Sequence, residues 1–130
     1  MSTERILVTG GAGFIGSHLV DALLAKGYGV RVLDDLSTGK VSNLPMDNPQ
    51  LQLVVGDVAD ASALAEAMHG CGAVVHLAAV ASVQASVEDP VRTHQSNFIG
   101  TLNVCEAMRL AGVKRVLYAS SAAVYGTTGE

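Results

Sequence analysis

Seven consecutive residues carry most of the chemistry this sequence announces: Gly10-Gly11-Ala12-Gly13-Phe14-Ile15-Gly16. They satisfy GxGxxG at Gly11, Gly13 and Gly16, and GxxGxxG at Gly10, Gly13 and Gly16. Such a turn bends a strand sharply into a helix and lets the backbone come close to a pyrophosphate. It also turns the free amides and positive dipole end of the helix towards the anion. A side chain at Gly13 would block that approach. Asp34 stands 18 positions after Gly16, where a carboxylate can accept hydrogen bonds from both ribose hydroxyls of an adenosine. A tight structural turn with Asp34 as a solvated strand end would need none of this context, so the stretch reads as a dinucleotide site. Gly11 and Gly16 also have the GxxxxG spacing of a triphosphate loop, but Ser17 and His18 follow where Lys and Ser or Thr are required. A carboxylate at position 34 repels a 2′-phosphate and Asp35 adds a second negative charge, so NAD is the expected cofactor rather than NADP. Arg31 and Lys40 are the cations close enough in sequence to soften that preference.

Other reactive side chains point to less. Cys71 and Cys105 lie 34 positions apart without a CxxC spacing, which argues against a disulfide framework. Cys105, in an apolar helical stretch, reads as a small buried hydrophobe, and Cys71 as a loop residue. His76 sits within an apolar strand with no partner at metal-ligand spacing and reads as structural. No metal site is expected.

The elements that must hold the glycine turn are legible as alternating strand-length and helix-length segments. Arg5 to Thr9, Val30 to Asp34, Leu51 to Val55, Ala73 to Leu77 and Arg115 to Ala119 are Val- and Leu-rich runs of a parallel sheet covered on both faces. Between the first two, Phe14 to Lys26 repeats apolar residues at helical spacing and Gly27 stops it. A second helix is expected over Ala61 to Met68 with Asp60 as its N-cap. A third starts at Asp89 and Pro90 and runs to about Ala111 before Gly112, with Gly100 a weak point inside it. Leu36 to Pro49 reads as an irregular connection with at most a short helical turn. The expected fold is α/β, a Rossmann-like doubly wound sheet of strand order 3-2-1-4-5. Ligands then bind where the order reverses, after Thr9 and after Leu77.

With 130 residues, 49% of them hydrophobic, the chain has enough for one domain and one core. Eight basic against twelve acidic residues give a net charge of −4, which leaves no broad basic surface for nucleic acid. The longest apolar stretch, Ala73 to Val83, is interrupted by His76 and Ser82 and falls short of the ~18 apolar residues of a membrane span. Polar residues at Met1 to Arg5 lead straight into a strand, without the features of a signal peptide. The expectation is a soluble, cytoplasmic protein.

Six segments in order resemble the extended short-chain dehydrogenase/reductase family, the NAD-dependent epimerases and dehydratases of nucleotide sugars. They are TGGAGFIGSHLV from Thr9, LDDLSTG from Leu33, GDVAD from Gly56, HLAA from His76, SNFIGTLNVCEA from Ser96 and SSAAVYG from Ser120. Carried over by position, the resemblance implies that Gly10, Gly13 and Gly16 form the turn and that Phe14 and Ile15 offer amides to the pyrophosphate. It implies that Asp34 holds the adenosine ribose and that Asp57 and Val58 border the adenine. Leu77, Ala78 and Ala79 would line the path to the nicotinamide ribose, and Asn97 would reach the same region from its helix. By residue type alone Asp57 reads as a loop cap and Asn97 as a polar residue on a helix face; family position assigns them to the cofactor.

The resemblance further implies that Ser121 hydrogen-bonds the sugar 4-hydroxyl and assists a tyrosine base, NAD taking the hydride from C4 to leave a 4-keto sugar. Related dehydratases carry acidic residues at the next two positions; here Ala122 and Ala123 can transfer no proton. The implied reaction is therefore 4-epimerisation of a UDP-sugar, UDP-glucose and UDP-galactose or their N-acetylated forms, with the loop around Ser82 and Ser86 bordering the sugar. A dehydratase or decarboxylase of the same family, and a non-catalytic NAD-binding module, are the alternatives. The family's Tyr-x-x-x-Lys pair is missing: the residues four after Tyr28, Tyr118 and Tyr125 are Val32, Ala122 and Gly129. The later sheet strands and the sugar-nucleotide domain are missing too. Residues 1–130 are thus expected to be the truncated NAD-binding portion of a longer, homodimeric enzyme, inactive by themselves.

Overall fold

The computed structural model describes residues 4–79 and 83–119. Five parallel strands, β1 (Arg5–Thr9), β2 (Gly29–Asp34), β3 (Leu51–Val55), β4 (Ala73–His76) and β5 (Val116–Tyr118), form one sheet in the order β3-β2-β1-β4-β5. The expected order 3-2-1-4-5 is the one found. Register follows directly: Val8 lies opposite Val32 on one side of the central strand and opposite Val75 on the other.

Strand alternation sends neighbouring side chains to opposite faces, and along β1, β2 and β4 both faces are largely buried. On one face Ile6, Val8, Val30, Val32 and Val75 pack with Val20 of α1 (Phe14–Ala25). On the other, Leu7, Leu33 and Val74 meet Leu64, Ala67 and Met68 of α2 (Ala61–Met68). Val104, Ala107 and Met108 of α5 (Gly100–Ala111) complete that second cluster. Leu7, Leu33, Leu64 and Met68 are fully buried, each worth about 1.5–3 kcal/mol relative to exposure. Asp60 caps α2 as expected, its carboxylate accepting from the amides of Ser62 and Ala63. The irregular connection holds only a short 3-10 turn at Val41–Asn43.

Three expectations need correction. The long third helix is not uniform: α4 (Pro90–His94), capped by Asp89, passes through a π-helical turn at Gln95–Ile99 before α5 begins. Gly100 is there because α5 presses on the loop after β3; a Cβ at that position would stand 2.5 Å from Cγ2 of Val58. Ser86 lies on a short helix, α3 (Val83–Glu88), rather than in a loop, since Gln84 and Glu88 bond across one turn and the Asp89 amide closes on the Ala85 carbonyl. Cys105 is exposed, because Gly100, Val104, Ala107 and Met108 make the inward stripe of α5 and position 105 falls outside it. Cys71 is the buried thiol, and burial pushes its pKa up.

Candidate functional site

A cavity of about 740 Å³ opens at the carboxyl ends of β1 and β4, where the sheet order reverses. Gly10, Gly13, Phe14, Ile15 and Gly16 line one wall. Asp34, Asp57 and Val58 line the β2–β3 side; Leu77, Ala78 and Ala79 follow β4; Asn97 and Ser86 come from the helices beyond. Ser82 and Ser121 lie outside the described residues.

The turn that opens the cavity is set by local covalent geometry. Gly10 has φ +72°, and a Cβ on it would stand 2.9 Å from the Ala78 nitrogen. Its own amide bonds the Leu33 carbonyl at 2.8 Å, which ties the turn to β2. Gly13 caps α1 with no side-chain hydrogen bond, so no capping group covers the first-turn amides of Phe14 and Ile15. A Cβ on Gly13 would meet only the Gly10 carbonyl oxygen, at 3.4 Å, and would otherwise stand in the cavity. An uncovered twelve-residue helix start at a cavity of this size is what a pyrophosphate needs.

At the end of β2 the Asp34 side chain is 7% exposed. One carboxylate oxygen accepts the Ala12 amide at 2.9 Å and the other accepts the Leu36 amide at 2.8 Å. Leu36 reaches back with φ 62°, a left-handed conformation that costs a branched side chain energy and that the Asp34 bond offsets. The carboxylate is thereby held rigid at the cavity wall, with lone-pair capacity left on both oxygens. That geometry fits the adenosine ribose of a dinucleotide.

Sequence reasoning missed Arg92. Its guanidinium reaches from α4 to the β2–β3 side of the cavity, bonding Asp35 and Asp57 at 2.8 Å each. These partners are 57 and 35 positions away, so only the tertiary fold brings them together. Burial pushes the Asp35 carboxyl up, but the Ser37 amide and hydroxyl and then Arg92 outweigh it and hold the pKa below the usual range. Arg31 instead bonds the carbonyls of Ala67 and His69, and neither it nor Lys40 lines the cavity. Among the described lining residues three carboxylates therefore face one guanidinium that is already paired twice. We expect NADP to bind at least about tenfold more weakly than NAD, the factor for one uncompensated charge contact. A calorimetric titration giving equal affinities would refute this.

Behind the lining, His76 is 3% exposed. Nδ1 lies 2.6 Å from the Thr9 hydroxyl, and Nε2 lies 3.1 Å from the Thr101 hydroxyl. Burial holds the pKa of the ring below the ordinary histidine value. An unfolded chain takes up a proton here at pH values where the folded ring does not, so this site contributes stability that is lost as pH falls. Ser96 and Thr101, also in the lining, sit on the helical run from the π turn into α5 and gave no signal of their own in the sequence.

Residues 6–130 match the family described as the NAD dependent epimerase/dehydratase family. A UDP-glucose 4-epimerase of Mycolicibacterium smegmatis is 48% identical over 129 residues, which are 95% of this chain and 41% of that protein. A crystal structure of the Thermus thermophilus UDP-glucose 4-epimerase in complex with NAD superposes with a TM-score of 0.83 at 46% identity, covering 90% of this chain and 37% of that one. A UDP-N-acetylglucosamine 4-epimerase from Methanobrevibacter ruminantium, in complex with UDP-N-acetylmuramic acid, gives a TM-score of 0.87 at 42% identity, covering 97% of this chain and 40% of that one. The chain thus spans about two-fifths of the length of each of these three proteins.

Proposed function

This chain belongs to the NAD dependent epimerase/dehydratase family, and from that premise we propose that it is the NAD-binding Rossmann portion of a UDP-sugar 4-epimerase. The observation that carries the reading is the cavity at the sheet reversal, whose lining includes both the uncapped start of α1 and the clamped Asp34 beside the glycine turn, in a space of dinucleotide size. The epimerase names of the relatives support the reaction.

NAD, when bound, supplies a hydride acceptor for C4 of the sugar and returns the hydride to either face of the resulting 4-ketone. The chain's own residues bind and orient. The Phe14 and Ile15 amides take the pyrophosphate on the turn formed by Gly10, Gly13 and Gly16. Asp34 takes the ribose diol, and Asp57 and Val58 border the adenine. Leu77, Ala78, Ala79 and Asn97 guide the nicotinamide end towards the sugar, which Ser86 and Ser82 border. Ser121, two positions after the cavity-lining Ala119, donates and accepts at the 4-hydroxyl. The base that removes the hydroxyl proton comes from the remainder of the longer protein, because no tyrosine in residues 1–130 has a lysine four positions on. By this reading residues 1–130 do not turn over UDP-glucose alone. Ala122 and Ala123 provide no acid or base for elimination, which favours epimerisation over dehydration.

The same proposal includes a cytoplasmic location and a homodimer of the longer protein; among the described residues no helix is long and apolar enough to cross a membrane. The exposed apolar side chains of Val91, Phe98 and Leu102 support the dimer. In the longer protein, Ser121→Ala is expected to lower turnover of UDP-glucose by about a hundredfold or more while leaving NAD affinity unchanged. Mass analysis of the product checks the reaction itself, since only epimerisation returns a sugar of unchanged mass. An unchanged rate removes Ser121 from the catalytic set, and a product of lower mass makes the enzyme a dehydratase or decarboxylase.

A further inference from the structure

Donor and acceptor capacities fix the hydrogen-bond directions around His76. The amides of Leu77 and Ala78 both point at the Thr9 hydroxyl oxygen, at 3.0 and 3.1 Å; the Leu77 amide is shared with the Thr9 carbonyl at 3.1 Å. A hydroxyl has two acceptor positions and one proton. With amides on the acceptor side, the Thr9 proton goes to His76 Nδ1, 2.6 Å away. Nδ1 is then an acceptor, so the ring of a neutral histidine carries its proton on Nε2. That proton goes to the Thr101 hydroxyl, which in turn donates to the Asn97 carbonyl at 2.7 Å.

We propose that His76 is a positioning residue: as the neutral Nε2–H tautomer it sets the direction of one chain that fixes the Leu77–Ala78 backbone on one wall of the cavity and the Asn97 backbone on the other. The proposal rests on the reading of this cavity as the cofactor site. Both ends of the chain line the cavity, and His76 is the link between β4 and α5 at this level. Protonation reverses one link. An imidazolium has a hydrogen on Nδ1, and that hydrogen would meet an oxygen already taking two amides and holding its own proton. One amide must let go, and the wall that follows β4 shifts.

Among the described residues no charged side chain neighbours the ring. Tyr118 of β5 stacks on it with ring centroids 5.9 Å apart, and Thr9 of β1 and Thr101 of α5 hold its nitrogens. Arg5 stands at the opposite end of β1, and Glu106 and Arg109 of α5 pair with each other further along that helix. Arg115, just before β5, pairs with Glu4.

The test uses the full 130-residue chain, with nitrogen-15 NMR of the imidazole rings, backbone amide shifts, and calorimetric titration of NAD. Measurements run from about pH 7.5 down through the titration of His76. The expected ring signature is a protonated Nε2 and a bare Nδ1 at neutral pH, with the Leu77 and Ala78 amides shifting in step as the ring takes up a proton. NAD affinity should fall about fivefold over the same step, the worth of one neutral hydrogen bond. In His76→Asn, whose side-chain oxygen can still accept from Thr9, that step in affinity should vanish. An Nδ1–H tautomer, or Leu77 and Ala78 amides that stay still while His76 titrates, overturns the proposal, as does an unaltered pH step in the variant. If the variant does not fold, the ring and amide readings of the unsubstituted chain decide. Absence of NAD binding at neutral pH would sink the cofactor reading instead, and the NMR arm would still judge His76.

Discussion

Gly16→Ala is expected to destabilise the chain by about 2–3 kcal/mol, whereas Gly13→Ala, three positions earlier on the same turn, should cost about 1 kcal/mol or less. The contrast comes from what each new methyl group meets. At position 16 it would stand 2.4 Å from the Gly10 carbonyl oxygen and 2.7 Å from the Gly11 Cα, both backbone atoms. They have nowhere to go, because the Gly10 amide is bonded to Leu33 and Gly10 itself abuts the Ala78 backbone. The turn must open, and the start of α1 moves with it. At position 13 the methyl group finds only ordinary contact, 3.4 Å from the Gly10 oxygen, and projects into the cavity. Binding should show the complementary pattern: Gly13→Ala folds but loses NAD affinity by about tenfold or more, about 1.4 kcal/mol or above. Urea denaturation of both variants with a calorimetric NAD titration of Gly13→Ala checks the pair. If Gly13→Ala binds NAD with unaltered affinity, the pyrophosphate does not lie against this turn.

The elements around that turn were readable because their physics is local or periodic. Each strand is a Val- and Leu-rich run with faces set by alternation, so Leu7 goes to one side and Ile6 and Val8 to the other. Asp60 and Asp89 announced two helix starts because a carboxylate just before an apolar helical repeat has amides to cap. What stayed hidden depended on distance in sequence or on a choice between near-equal backbone states. Arg92 meets Asp35 and Asp57 only because three separate segments converge above the sheet. The π turn over Gln95–Ile99 has no composition signal, since it admits one more residue per turn without changing which residue types fit. Cys105 is a different case: the stripe Gly100, Val104, Ala107, Met108 shows that position 105 faces outward, and periodicity would have overruled the residue-type preference for burial. His76 carries no sequence sign of its two threonine partners, which lie 67 and 25 positions away.

Asp34→Asn is expected to combine a stability loss of about 2 kcal/mol with a fall in NAD affinity of about thirtyfold or more. Both follow from the same two oxygens. In the native chain each accepts a backbone amide, from Ala12 and from Leu36, in a site only 7% exposed. An asparagine has one acceptor oxygen, so its NH2 group must face one of those amides donor to donor. A buried amide left without its acceptor costs about 1–3 kcal/mol. Leu36 then loses the bond that holds it at φ 62°, and the start of the connection after β2 relaxes. On the ligand side the ribose loses at least one hydrogen bond to a charged acceptor, worth about 1.5–3 kcal/mol, hence the thirtyfold figure near the middle of that range. Cofactor choice should move as well. With the Asp34 charge gone, Asp35 and Asp57 remain, both paired to Arg92, and the penalty on a 2′-phosphate shrinks. NADP and NAD affinities should therefore converge even as both weaken, a result that paired calorimetric titrations read directly alongside a denaturation curve. A variant that loses stability but keeps both the native NAD affinity and the native preference would confine Asp34 to bracing the turn, and the ribose would have to be held elsewhere in the cavity.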